Sequence, residues 1–201
     1  QIIEPIFEPI FIYDSYANRI GKGTVKALDR YNLFLRKVTK NGSSLHAGGG
    51  DVKNPDFIKG YVLKADIKKY FENVEQEILM GIIEKRIKDK KLISLIRLIT
   101  NNFDSKIKGK GMPLGNLTSQ FFANIYLNEL DQFVKNNLKI KYYIRYVDDF
   151  IILHRSKEVL KFYKEKINKF LINNLKVELH PEKSDVIPLS CGTPLLGFRV
   201  F

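Results

Sequence analysis

The chain has 201 residues, a length that suits one domain or two closely packed lobes. Hydrophobic residues make up 44% of it and include 14 Phe and 10 Tyr, which excludes an intrinsically disordered protein. A single cysteine excludes an internal disulfide framework, and no apolar run approaches the roughly 18 residues of a membrane span. The 34 Lys and Arg against 22 Asp and Glu give a formal net charge of +12. This excess makes nucleic acid the leading partner, with a purely solubilising role as the alternative.

The first half of the chain contains helical, loop and strand patterns. A basic turn over Gly21–Thr24 precedes a helix predicted from Val25 to Val38. Glycines and serines between residues 41 and 56 predict a loop, and Gly60–Asp66 has the composition of a strand. Two further helices are predicted from apolar residues at helical spacing, which are Ile78, Ile82 and Ile83 in the first and Leu92, Leu95, Ile96 and Ile99 in the second.

The second half of the chain contains the pattern of a hairpin. Two β-rich runs, Tyr142–Val147 and Phe150–Leu153, are separated only by Asp148 and Asp149, which predicts a tight connection with acids at its tip. Before the hairpin, Asn116 caps a predicted helix whose apolar stripe consists of Leu117, Phe121, Ile125, Leu130 and Val134.

After the hairpin, Ser156 caps another predicted helix, and Val177–Leu179 and Leu195–Val200 are predicted as short closing strands. The order of strand, helices, hairpin, helix and strand is that of a split βαβ, or ferredoxin-like, antiparallel sheet backed by helices. We therefore expect an α+β fold.

The two adjacent acids at the hairpin tip are unusual, because like charges held close together repel. A divalent cation removes this penalty, and carboxylate oxygens suit Mg²⁺. In a split βαβ sheet the first strand, which ends at Asp66, lies beside the hairpin. Asp66 and Asp148 are therefore candidates to share two metal ions about 3.5–4 Å apart, an arrangement that supports phosphoryl transfer. The alternative is a solvated turn and an unrelated acid at a strand end.

Several segments, in the correct order along nearly the whole chain, resemble motifs of reverse transcriptases. The resemblance implies a right-hand polymerase with fingers and palm, in which the palm is the split βαβ sheet. The segments are Ser15–Thr24 (fingers segment of bacterial members), Asp66–Phe71 (first carboxylate motif), Gly111–Gln120 (usually Pro-Gln-Gly…Ser-Pro), Tyr146–Asp149 (catalytic box), His180–Lys183 (lysine motif) and Leu196–Phe198 (primer grip).

Two positions depart from the usual pattern of that family. Leu114 stands where most members have Gln, and Gln120 stands where they have Pro. This form is similar to the reverse transcriptases of diversity-generating retroelements, which resemble group II intron enzymes and copy a template repeat with frequent errors at adenines. Other bacterial retroelement and defence enzymes share parts of the pattern. The resemblance thus implies the group II intron-like lineage, with the diversity-generating enzymes as the most similar subgroup.

The resemblance assigns the catalytic and metal site to three aspartates. It implies that Asp66 and Asp148 bind two Mg²⁺ ions, for which Mn²⁺ is a substitute, and that Asp149 completes or supports the site. The carbonyl of Ile67 would supply another oxygen ligand. Lys183 would protonate or stabilise the leaving pyrophosphate, and the alternative is an ordinary surface lysine.

The resemblance also assigns contacts to the incoming dNTP and to nucleic acid. Phe71 would be the aromatic residue that excludes a ribose 2′-hydroxyl, and the alternative is an ordinary core aromatic. Gly115 would let the backbone approach the templating pair closely, and Leu114 would touch that pair without the polar contact of a Gln. The implied nucleic-acid contacts are Arg19, Lys22, Lys26, Tyr146 and Gly197.

The implied partners are an RNA template, a DNA or RNA primer, dNTP substrates and an accessory protein, in the bacterial cytoplasm and without a membrane. The fingers would comprise residues 1–56 and 74–112, and the palm residues 57–73 and 113–201. In this family, fingers strands precede the region of Gln1 and a thumb follows the primer grip. We therefore expect the chain to lack both and to be weak or inactive alone.

Two other functions remain open at this point. The first is a catalytically dormant RNA-binding module, which acts as a scaffold or in the manner of a maturase. The complete set of Asp66, Asp148 and Asp149 argues against dormancy. The second is another palm-type enzyme such as a nucleotidyl cyclase, which would need neither Phe71 nor the Leu196–Phe198 motif.

Overall fold

A four-stranded antiparallel sheet lies at the centre of the computed structural model, which describes residues 2–40, 59–102, 107–113 and 115–201. The loop predicted between residues 41 and 56 lies outside the described residues. The strands are β1 (Tyr61–Ala65), β2 (Tyr143–Tyr146), β3 (Asp149–His154) and β4 (Asp185–Pro188). They follow the order β2-β3-β1-β4 with every neighbouring pair antiparallel. This is the order of a split βαβ sheet, so the predicted α+β fold is confirmed.

Helices cover both faces of this sheet. None of those in the described ranges is long and apolar enough to cross a membrane. Short π-helical segments over Phe133–Asn137 and Leu171–Leu175 follow the sixth and seventh helices. The helices are α1 (Glu4–Phe7), α2 (Thr24–Lys40), α3 (Tyr70–Asn73), α4 (Gln76–Glu84), α5 (Lys90–Asn101), α6 (Leu117–Gln132) and α7 (Lys157–Phe170). The five predicted helices form, as α2, α4, α5, α6 and α7, and the short α1 and α3 were not predicted.

The sheet separates two hydrophobic cores because successive strand residues point to opposite faces. Val62 joins the core beneath α2, whereas the next residue, Leu63, joins the larger core formed with α4, α6 and α7. α2 suits its position because its buried residues recur at helical spacing, at Ala27, Tyr31, Phe34 and Val38.

Two helices differ in detail from the predicted apolar stripes. α6 begins at its predicted cap, where the Asn116 side chain accepts a hydrogen bond from the Thr118 amide. Leu117, however, is 82% exposed, because α6 is buried on several other sides and the apolar period no longer identifies a single face. Leu95 of α5, which was predicted on an apolar face, is 51% exposed.

The fourth strand of the sheet is not the predicted one. Val177–Leu179 forms no strand, and Leu179 makes only an isolated bridge with Ile67. The edge position beside β1 is instead occupied by β4, whose Lys64↔Asp185 pairing is the last before the two segments separate. Local composition does not indicate β4, because it contains a proline and is only partly buried.

The predicted closing strand over Leu195–Val200 is a hairpin with its own small sheet. Its strands are β5 (Thr193–Leu195) and β6 (Phe198–Val200), which pair antiparallel. The two turn residues, Leu196 and Gly197, both have positive φ, at 52° and 85°. Positive φ at both central residues is typical of the tight two-residue turns that connect hairpin strands. The chain therefore reverses its direction where the composition predicted one continuous strand.

We predict that Gly60→Ala destabilises the fold by about 1–3 kcal/mol. Gly60 has a φ of +144°, and a Cβ there would lie 2.9 Å from Leu189 Cδ1 and 3.3 Å from Val38 Cγ1. Gly81→Ala is the matched control, because Gly81 lies within α4 with open space around its Cα, and it should stabilise by about 0.5–1 kcal/mol. Urea unfolding of both variants measures the difference, and equal free energies of unfolding would contradict the prediction.

Candidate active site

The sheet brings the three predicted aspartates to one of its ends. Asp66 directly follows β1, and Asp149 is the first residue of β3. The last pair between the neighbouring strands β1 and β3 is Ala65 with Phe150. The next residues on the two strands, Asp66 and Asp149, therefore lie beside this pair at the same end of the sheet. Asp148 lies in the turn between β2 and β3. Residues that are 82 positions apart in the sequence thereby share one edge of the fold.

The turn itself differs by one residue from the predicted one. Tyr146 pairs with Asp149, so the two connecting residues are Val147 and Asp148 rather than Asp148 and Asp149. Val147 has a φ of +55°, the left-handed region that a β-branched residue seldom adopts. Such a conformation costs about 1–3 kcal/mol and persists only where the surrounding structure holds it.

Burial and mutual repulsion raise the pKa of the acids in this turn. The pKa of Asp148 is raised to about 6, chiefly by burial and further by the neighbouring carboxylates of Asp66 and Asp149. Burial also raises the pKa of Asp149, to which Asp66 contributes in the same direction and Lys64 in the opposite one. The ammonium group of Lys183 lowers both pKa values, so this exposed lysine belongs to the same electrostatic site.

The carboxylates fit a divalent ion that is shared with a substrate. Within the described ranges, no three side chains of the His, Cys, Asp or Glu type form a group that could enclose a metal ion by themselves. Mg²⁺ is usually bound through one or two carboxylates together with substrate phosphates and water. The partly buried acids Asp66, Asp148 and Asp149, which repel one another, provide that kind of incomplete ligand set.

The backbone of Asp66 is held by a segment that the sequence patterns did not connect with it. The Asp66 amide donates to Ser184 Oγ (3.3 Å), and the same hydroxyl donates to the Asp66 carbonyl (3.3 Å). The amide of His180 also donates to that carbonyl at 2.7 Å. Ser184 is fully buried. The segment that carries Lys183 therefore also fixes the position of Asp66.

A buried arginine supports the turn from the other side. Arg145 is fully buried and makes a bidentate ion pair with Asp131 of α6, at 2.8 and 2.6 Å. Its Nη1 donates to Asn124 Oδ1 (3.1 Å) and to the carbonyl of Val147 (2.9 Å). One signal in the sequence pointed to this cluster, because a lone charged residue in an otherwise apolar strand needs a buried partner.

The residues predicted to contact the dNTP differ in their burial and surroundings. The Phe71 side chain is partly buried and packs edge-on against Tyr70, while its carbonyl accepts a hydrogen bond from Met112. Gly115 has a φ of +82° and open space where a Cβ would lie. Leu114 lies outside the described residues. The side chain of Ile67 is buried in the core, beneath the acidic end of the sheet.

Two of the predicted nucleic-acid contacts lie near the turn and at the small hairpin. The hydroxyl of Tyr146 is 3.2 Å from Thr24 Oγ1, a hydrogen bond that connects the β2–β3 hairpin with the start of α2. Gly197 occupies the exposed turn between β5 and β6, and nothing lies within 4 Å of the position of a Cβ. Gly197 is therefore accessible, whereas Tyr146 is partly buried against the core beneath α2.

Of the three basic side chains predicted to contact nucleic acid, one is buried and two are accessible. The side chain of Arg19 is only 6% exposed and binds Glu8 and the carbonyls of Ile12 and Ser15. The structure therefore does not support a phosphate contact by Arg19, whose guanidinium is used within the fold. Lys22 lies 3.5 Å above the ring of Tyr13, and Lys26 is exposed.

Comparison with known proteins identifies the family. Residues 2–200 match the family model described as reverse transcriptase (RNA-dependent DNA polymerase). The chain belongs to the reverse transcriptase family. It is 27% identical to the group II intron-encoded protein LtrA of Lactococcus lactis subsp. cremoris, over 99% of this chain and 41% of that protein. It is also 24% identical to Protein YkfC of Escherichia coli (strain K12), over 98% of this chain and 58% of that protein.

The chain is thus a reverse transcriptase with similarity to a group II intron-encoded protein, and it spans about half the length of these two relatives. The family generally uses divalent metal ions, as the acidic site suggested. Solved structures share the fold. Apo telomerase from Candida tropicalis superposes with a TM-score of 0.66 at 16% identity, over 96% of this chain and 36% of that one. Telomerase from Candida albicans, in complex with a TWJ fragment of telomeric RNA, gives 0.62 at 12% identity, over 96% and 34%.

We predict that Asp148→Asn stabilises this reverse transcriptase at pH 7 in metal-free buffer. The pKa of Asp148 is about 6 in the fold, against about 3.9 in an unfolded chain, so ionisation disfavours the fold. The protonated form contributes its full stability below about pH 4, and that contribution is lost as the pH rises to about 6. The asparagine variant stays neutral and should gain about 1 kcal/mol at pH 7, after allowance for solvent screening, and nothing at pH 4.

Urea unfolding with a chelator at pH 4, 5.5 and 7 measures this gain. Asp29→Asn, on the exposed side of α2, is the control for the loss of one negative charge from a chain with a net charge of +12. Equal stability of wild type and the Asp148 variant at pH 7 would contradict the repulsion inferred at the turn.

Proposed function

We propose that this chain is the catalytic core of an RNA-directed DNA polymerase, which adds deoxynucleotides to a DNA or RNA primer on an RNA template. The observation that carries the proposal is the meeting of Asp66, Asp148 and Asp149 at one end of the sheet in a chain of the reverse transcriptase family. The division into fingers (residues 1–56 and 74–112) and palm (residues 57–73 and 113–201) is part of the proposal. In the structure, α2 shares a core with the sheet.

The acidic residues would hold the metal ions. Asp66, Asp148 and Asp149, with the carbonyl of Ile67, would bind two Mg²⁺ ions, and Mn²⁺ would substitute. When bound, such a pair activates the attacking 3′-hydroxyl and stabilises the charge on the leaving oxygen. The pKa of Asp148, raised to about 6, supports this role, because a nearby cation favours the ionised carboxylate that burial disfavours. Lys183 would stabilise or protonate the leaving pyrophosphate, and the support is that its charge acts on both turn acids.

Phe71 and Gly115 would shape the pocket for the incoming nucleotide. The partly buried ring of Phe71 is anchored by Tyr70 and lies one short turn after Asp66, so it is suited to exclude a 2′-hydroxyl by its bulk. The open space beside Gly115 leaves room for close approach of a base pair. Leu114, next to Gly115 in sequence, would complete this pocket.

The basic and aromatic residues outside the acidic site would hold the nucleic acid. Lys22 and Lys26 lie beside the exposed ring of Tyr13, a combination that suits the phosphates and bases of a single strand. Tyr146 and Gly197 would contact the template–primer near the turn and at the small hairpin. Arg19 is left out of this set because its guanidinium is bound within the fold.

Among group II intron-like enzymes, we propose that the chain belongs with the reverse transcriptases of diversity-generating retroelements, in the bacterial cytoplasm and with an accessory protein. The support is the segment from Leu114 to Gln120, which has Leu and Gln in place of the usual Gln and Pro. A Leu at position 114 lacks the polar contact of a Gln to the nascent pair, which fits error-prone copying of adenines.

Asp148→Ala should abolish RNA-templated addition of dNTPs to a primer, with a loss of at least about a hundredfold, because the site loses a charge that faces the reacting atoms. The measurement is single-nucleotide extension on an RNA template with Mg²⁺, compared with extension by wild type. Asp89→Ala, at the N-cap of α5, is the control for loss of a carboxylate far from the sheet edge. Because the chain is expected to be weakly active alone, the assay uses enzyme in excess over the template–primer. Wild type that binds the template but adds no nucleotide even then would favour the dormant RNA-binding module instead.

Phe71→Val should increase the use of rNTPs relative to dNTPs by about tenfold to a hundredfold, because a smaller side chain leaves room for the extra oxygen. The ratio of kcat/KM for rGTP to that for dGTP measures the change. Phe162→Val, on the exposed side of α7, is the matched control and should leave the ratio unchanged. If the rGTP-to-dGTP ratio is unchanged in the Phe71 variant, the ring is only an ordinary core aromatic and does not select the sugar.

A further inference from the structure

Arg145 is the most completely bound charged side chain of the catalytic hairpin. Its side chain is fully buried on β2, two residues before Val147 and three before Asp148. Both oxygens of Asp131 accept from its guanidinium, through Nε at 2.8 Å and Nη2 at 2.6 Å. The buried hydroxyl of Tyr143 donates to the same carboxylate at 2.7 Å. These contacts leave the guanidinium no freedom to rotate.

The remaining amine of the guanidinium reaches forward to the turn. Nη1 of Arg145 donates to the carbonyl of Val147 at 2.9 Å and to Asn124 Oδ1 at 3.1 Å. Val147 has a φ of +55°, so its carbonyl points where a relaxed β-branched residue would not place it. The hydrogen bond from Arg145 is therefore made to the one residue of the turn whose backbone is strained.

The other end of this arrangement is fixed by α6 and by the N-terminal segment. Asn124 and Asp131 are both buried on α6, two turns apart. The backbone of Arg145 is also fixed, because its amide donates to the Asp14 carbonyl and its carbonyl accepts from the Tyr16 amide. The position of the turn is thus fixed by contacts with residues outside the hairpin.

We propose that Arg145 is a positioning residue that holds Asp148 in its metal-binding position, by fixing the carbonyl of Val147 and so keeping the turn in its strained conformation. The inference rests on the proposed function for the role of Asp148 but not for the geometry. An arginine is required because its planar group binds Asp131 with two donors while a third reaches the turn. The single ammonium of a lysine keeps the charge but cannot make these contacts together.

The test is Arg145→Lys, assayed for primer extension and, by electron paramagnetic resonance, for Mn²⁺ binding in the presence of a dideoxy-terminated template–primer and a dNTP. These supply the phosphate ligands that the acids lack, and the Mn²⁺ bound by the same substrates without protein is subtracted. We expect Mn²⁺ affinity to fall about tenfold and kcat to fall about tenfold to a hundredfold, with little change in KM for the template–primer, because misplacement of a ligand by a fraction of an ångström disrupts the reacting geometry. Arg155→Lys is the matched control. Arg155 Nε also donates to a backbone carbonyl, that of Val38, at the far end of β3, and its variant should bind Mn²⁺ and extend primers as wild type does.

Rescue distinguishes positioning from a general structural role. Glycine adopts positive φ without strain, so Val147→Gly combined with Arg145→Lys should recover a large part of the lost Mn²⁺ affinity relative to Arg145→Lys alone. A structural role of Arg145 would predict no recovery, because the substitution at Val147 replaces none of the lost contacts with α6. The proposal would be overturned if the double variant recovers no Mn²⁺ affinity. It would also be overturned if Arg145→Lys has a lowered Tm but binds Mn²⁺ with the affinity of wild type.

A second variant covers the case in which the lysine variant does not fold. Arg145→Met with Asp131→Leu removes both charges of the buried pair, an exchange that commonly preserves folding. This double variant should fold, as judged by circular dichroism, and should still show the tenfold loss of Mn²⁺ affinity. Unchanged affinity would overturn the proposal. If wild type binds Mn²⁺ but extends no primer even with enzyme in excess, the proposed function fails while the positioning role is still tested by binding alone.

Discussion

The buried ion pair between Arg145 and Asp131 connects the sheet with α6 and with the turn at Val147 and Asp148. Moving two charges out of water costs several kcal/mol per ion, and their attraction offsets this cost only when the remaining donors and acceptors are also bound. Here Tyr143, Asn124 and the carbonyl of Val147 supply those partners. The pair is therefore favourable only when strand, helix and turn are all in place, and loss of either partner would leave a buried charge alone.

The acidic end of the sheet combines two unfavourable features that the rest of the fold must offset. The turn is strained at Val147, and the carboxylates of Asp66, Asp148 and Asp149 repel one another. Backbone strain and shifted pKa values concentrate at functional sites, because the arrangement of groups that a reaction needs differs from the arrangement that would be most stable. The fold supports this end from both sides, through Arg145 beneath the turn and through Ser184 and His180 at the backbone of Asp66.

Local composition was enough to predict β1 and the two strands of the hairpin to within one or two residues, because each is a short apolar run. It did not predict β4, where Asp185 and Pro188 make an edge strand that only its pairing with β1 creates. It also read Leu195–Val200 as one strand, because a single glycine in six residues does not show that Leu196 shares its positive φ. Burial of α6 on several sides likewise removed the period that would have identified its exposed Leu117.

Asp148 and Asp149 stand out in the sequence because they are like charges side by side, and the split βαβ order predicts that Asp66 lies beside them. Their joint assignment to metal ions comes from the resemblance to reverse transcriptases. The same reasoning does not reach Arg145. Its carboxylate partner lies 14 residues away and its amide partner 21 residues away on a helix, and its contact to the turn is a backbone oxygen that no side-chain pattern reveals. A charged residue in an apolar strand indicates a buried partner but not which one. The acids proposed to meet a substrate are thus noticeable in the sequence through their charge, whereas the residues that hold them in place are identified only from their contacts in the structure.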